Sequence, residues 1–132
     1  MHFMLRVTAL AMLLAGISRA SAAPPFEPEA ICRTALASIT GRDPKTMQVT
    51  LSRGDVLFLT YTRPIDYFVR TYRCRVEGNR VTWADEPGRW RDGPKDGKLL
   101  FEVVGGGKQL RIIDVHVDGS STSELFDRDA IP

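Results

Sequence analysis

The chain has 132 residues, 43% of them hydrophobic and 26% charged, with 18 lysines and arginines against 16 aspartates and glutamates. Setting aside an N-terminal address that carries Arg6 and Arg19 leaves sixteen of each sign, so no global field draws the chain to nucleic acid. The remaining ~110 residues make one small domain, whose core alone is marginal and which a covalent staple would help.

Residues 1–22 read as a secretory signal. Arg6 precedes an apolar run from Val7 to Ile17, shorter than the roughly 20 residues of a spanning helix, and Ala20, Ser21 and Ala22 offer a cleavage site near Ala22. No cysteine stands at the new terminus, so residues 23–132 are expected as a released periplasmic or secreted protein without a stable membrane anchor. In that oxidising setting Cys32 and Cys74, the only cysteines, are expected to form a disulfide.

Pro28 suits a first helical turn, and Ile31, Cys32, Ala35, Leu36 and Ile39 recur at helical spacing up to the stop at Gly41 and Asp43-Pro44. Cys32 thus lies on the apolar face of a helix. After residue 45 the period changes to two: Met47, Val49 and Leu51 alternate, Arg53-Gly54-Asp55 turns the chain, and 56–62 is a strand apolar on both faces. One of those faces needs cover from the C-terminal tail or from a second copy, as in a homodimer. Arg63-Pro64 breaks the strand. In 67–76, Phe68, Tyr72, Cys74 and Val76 share one side, and a tight turn at 77–80 leads into 81–84. Residues 85–97 are a loop by composition, and 99–104 and 109–117 form a hairpin about Gly105-Gly106-Gly107. The tail 119–132 is expected as one helical turn behind a Ser121 to Glu124 capping box, or as a flexible end. The sum is an α+β fold, one N-terminal helix on a curved antiparallel sheet of about five to six strands.

Charge is unevenly spread within this frame. Residues 63–91 hold seven arginines against four acids, and residues 92–132 hold five basic and eight acidic side chains. Alternation sends Arg73 and Arg75 to the face opposite Cys74, with Arg80, Arg89 and Arg91 following beside Trp83 and Trp90. Guanidinium forks and tryptophan area suit an interface with a protein or an anionic envelope component. The scaffold alternative is a solvated strand face, with Trp83 in the core, Trp90 closing one end of the sheet, or the acidic tail folded back on the patch.

Catalytic and metal chemistry finds less support. Asp114, His116 and Asp118 alternate along one strand but lack a fourth ligand, and Ile113, Val115 and Val117 are expected to pack inward behind them. His116 is the only histidine beyond the signal, and no serine sits in a G-x-S-x-G context. Carboxylates at Asp85, Glu86, Asp92 and Asp96 leave open a small hydrolase. No catalytic residue, cofactor or metal is assigned. In size, β-rich pattern and expected disulfide, with Tyr72-Arg73-Cys74 in one strand, the chain resembles the lysozyme inhibitors among small exported proteins of Gram-negative bacteria. The Ser-Gly-x-x-Tyr and Lys-Gly motifs of the C-type inhibitors are absent. That resemblance implies a glycan-acting or inhibitor-like envelope protein as the alternative to a non-catalytic binding module.

Overall fold

The computed structural model describes residues 25–132, so the expected signal lies outside the described residues. Helix α1 (Pro28–Thr40) begins at the expected proline and ends at Gly41, whose φ of 67° lets the Arg42 N–H reach Ala37 O at 2.8 Å. Its buried face is Ile31, Cys32, Thr34, Ala35, Leu36 and Ala37. Seven strands follow: β1 (Met47–Arg53), β2 (Val56–Thr62), β3 (Val69–Glu77), β4 (Arg80–Asp85), β5 (Lys98–Val104), β6 (Gln109–Val115) and β7 (Ser121–Asp127). They pair in chain order as one antiparallel meander, open between β1 and β7.

The helix touches strands from β1 to β6. Thirteen residues of helix are only about 20 Å long, whereas six strands at ~4.8 Å spacing span about 24 Å; contacts across all six follow because the sheet curls around the helix. Leu57, Leu59, Tyr72, Cys74, Val81, Leu99, Leu110 and Ile112 face α1 and are buried. Cys32 and Cys74 are bonded, their Cα atoms 6.0 Å apart and neither side chain exposed. A closed loop of this length stabilises by about 4 kcal/mol on the chain-entropy account.

Three expectations need correction. The seventh strand is the tail: Ser121–Asp127, expected as a helical turn or a flexible end, pairs along its whole length with β6. It is tied to α1 as well, Ser38 Oγ donating to Glu124 Oε2 at 2.9 Å and Arg33 Nη1 to Pro132 O at 3.1 Å. On β6 the inward residues are Leu110 and Ile112, while Ile113 and Val115 face outward and Val117 is 64% exposed. On β1 the register shifts between Val49 and Leu51, so the extra residue carries Leu51 to the outer face opposite Phe58.

The sheet has one weak seam. β4 and β5 share only the rungs Arg80↔Leu100 and Val81↔Leu99, whereas β5 and β6 share seven. Beyond Val81 the strands part, and the 86–97 loop occupies the gap.

Candidate functional site

The loop enters the seam by replacing β5 as the partner of β4, the Arg91 N–H donating to Trp83 O at 2.9 Å. An extended chain sends successive side chains to opposite faces. Arg91 therefore goes to the helix side, its guanidinium 4.5 Å from the centroid of Trp83, and Trp90 goes to the outer side, over Arg73 at 4.8 Å and Arg75 at 4.5 Å. Trp83 packs against the core, edge-on to Tyr72. Thr82 and Ala84 are the rung partners of Arg75 and Arg73, the two arginines stacked on Trp90, and both are buried although they face away from the helix.

The structure thus splits the sequence-predicted residues between two faces, Trp90 with Arg73 and Arg75 on the outer one and Trp83 with Arg91 on the helix side, and it gives five guanidinium groups differing fates. Arg73 Nε lies 2.6 Å from Glu86 Oε2 but out of line for a hydrogen bond, so the contact is ionic; its Nη2 donates to Gly88 O. Arg75 meets Glu77 at 2.7 Å and Asp92 at 3.5 Å. Arg91 reaches Asp85 at 3.1 Å. Arg89 forms a two-pronged pair with Asp96, whose carboxylate is held down to about 2 by those hydrogen bonds, with help from the Gly93 N–H. Arg80, one strand end away, has a buried Nε with no hydrogen-bond partner. The four carboxylates offered as hydrolytic candidates, Asp85, Glu86, Asp92 and Asp96, are each paired with an arginine.

Asp114 and His116 line a cleft of about 290 Å³ at the open seam, with Ile39, Trp83 and Lys98. Asp118 accepts instead from Ser120 N and Oγ, at 2.9 and 2.6 Å, which holds its carboxyl below the usual range. Among the described residues no cluster of three metal-ligating side chains forms, and no helix is long and apolar enough to cross a membrane.

A second surface escaped the sequence reading. Between β2 and β3 the chain makes a braced tip. Arg63 N donates to Phe68 O and Tyr67 N to Arg63 O, both at 2.8 Å, while the Arg63 guanidinium grips the Asp66 carboxylate at 2.8 and 2.6 Å. That grip, reinforced by the Phe68 N–H, lowers the Asp66 pKa. Tyr67 takes a φ of 58°, a left-handed conformation costing a non-glycine residue roughly 1 kcal/mol. What the brace presents is apolar: Ile65 is 88% exposed, Tyr67 79%, Phe68 54% and Val69 52%. The available signal was Ile65, Tyr67 and Phe68 in a turn, where polar residues and glycine normally stand. Comparison of the chain with protein-family models, with curated proteins and with solved structures finds no match.

Proposed function

We propose that this chain is a non-catalytic binding module of an oxidising compartment, periplasmic or secreted, that meets an envelope partner through the β2–β3 tip. The observation that carries the reading is the tip itself. Four apolar side chains more than half exposed stand on a turn whose backbone and charges are closed on one another. Isolated exposed apolar residues are ordinary, whereas a contiguous group held in a strained conformation marks an interaction site. The buried Cys32–Cys74 bond supports the compartment, as does the signal read from residues 1–22.

The Arg/Trp surface supports a second, lesser reading as a docking face, favoured by the side chain of Arg89, 68% exposed, and that of Arg91, 41% exposed. A partner anion there would have to displace Asp96 or Asp85, so we assign Trp90 and its arginines chiefly to bracing the seam. Co-sedimentation with isolated envelopes separates the two. An Ile65→Ser/Tyr67→Asn variant should lose envelope binding, and an Arg89→Ser/Arg91→Ser variant should keep it. Undiminished binding by the tip variant would overturn the assignment.

A further inference from the structure

Resting on that reading, we infer that the partner of the tip is an anionic lipid surface, which the tip enters reversibly. The argument comes from what surrounds it. One rung behind the tip, Arg70 pairs across the strands with Tyr61, and the Arg42 guanidinium lies over the same ring at 3.5 Å. Lys45 stands two residues before Met47, itself the rung partner of Tyr61. Two cations, Arg70 and Arg42, therefore meet at Tyr61 behind the apolar group, and Lys45 stands on the segment leading into the neighbouring strand. Of the nearby acids, Asp43 accepts from the Lys45 N–H at 2.9 Å, Asp66 is closed on Arg63 and Glu86 on Arg73, while Asp127 and Asp129 share a cleft with Lys45. Arg70 and Lys45 are both exposed, with no side-chain ion pair among the described residues.

This layering matches a bilayer boundary. Apolar groups of an interfacial segment enter roughly 5–10 Å, and basic side chains remain at the phosphates; at ~3.3 Å per strand residue, the Arg70 level lies at about that depth behind Ile65 and Tyr67. Tyrosine is an amphipathic ring suited to headgroup level. The turn carries with it the bonds of the Arg63, Tyr67 and Phe68 N–H groups, which lowers the cost of entry. A cleft in a protein would be specified by free donors and acceptors, and the tip keeps its only charged pair to itself.

Purified residues 23–132 with the disulfide intact would be sedimented with vesicles of phosphatidylethanolamine and phosphatidylglycerol, and with vesicles of phosphatidylcholine. Binding to the anionic vesicles is expected, salt-sensitive and far weaker on phosphatidylcholine. Ile65→Ser/Tyr67→Asn should abolish it. Lys45→Gln/Arg70→Gln, two exposed changes that leave the core alone, should weaken it about 25-fold, at about fivefold per basic residue near an anionic surface. Equal binding to phosphatidylcholine, or indifference to either variant, overturns the inference. Tip-dependent binding to whole envelopes without binding to any vesicle also overturns it, assigns the tip to a protein cleft, and leaves the binding-module reading standing.

Discussion

Replacing Cys32 and Cys74 together by alanine removes a cross-link between residues 42 apart in sequence. The chain-entropy contribution is about 4 kcal/mol. Both sulfurs are fully buried among core side chains, so the two vacated positions add about 1 kcal/mol each. A loss of about 6 kcal/mol is comparable to the whole stability of a small domain, about 5–15 kcal/mol. Urea unfolding followed by the fluorescence of Trp83 and Trp90 would read it as a midpoint shift of about 3 M, taking a slope of ~2 kcal/mol per molar. Wild-type protein unfolded with a reductant present should show the entropic part alone, about 2 M of that shift. A shift below about half a molar in both experiments would refute the idea that the cross-link stabilises by restricting the unfolded chain. Alkylation of both thiols in unreduced protein would do the same.

Trp90→Ala should destabilise by about 1–3 kcal/mol, through two lost cation–π contacts and the lost burial of the indole against Arg73 and Arg75; a urea midpoint within error of wild type would show the indole to be idle. Asp96 titrates at about 2 when folded against an ordinary 3.8, so its contribution is complete above about pH 4 and is lost as pH falls toward 2. Asp96→Asn should therefore be less stable than wild type at neutral pH and equal to it below pH ~2, and carboxyl NMR would follow the titration directly. Gly97→Ala should cost about 2–4 kcal/mol, because a Cβ there would collide with Val115 O on a backbone with φ of +69°; a thermal melt unchanged from wild type would contradict that close approach. Tyr67→Gly should raise stability, by up to about 1 kcal/mol, while reducing envelope binding, since it relieves a left-handed residue and deletes an exposed ring. A stability loss above 1 kcal/mol would mean the ring is structural.

Where the sequence was legible, one period settled the matter. Helical spacing placed Cys32, and alternation from Tyr72 to Val76 put Cys74 inward and Arg73 and Arg75 outward, as the cross-strand partners bear out. Where it was not, the period was ambiguous. Ile112-Ile113 are adjacent and equally apolar, so only packing against α1 decides which turns in. In β7 just Phe126 is buried, and an edge strand with hydroxyls on both faces carries no alternation to read. The bulge at Thr50 flips Leu51 without any composition cue. Composition correctly marked 85–97 as irregular, yet the stacking of Trp90 depends on a gap opened by strands far apart in sequence.

That gap divides the molecule mechanically. Four strands on one side and three on the other are joined by two rungs, and α1 is the splint that lies across both. The disulfide rivets the splint to the four-stranded side, whereas the three-stranded side holds it by side-chain contact and by Ser38 on Glu124. Under deuterium labelling the amides of β5 to β7 should accordingly exchange as one cooperative block ahead of β2 and β3, with the protein opening like a book whose spine is glued to a single cover.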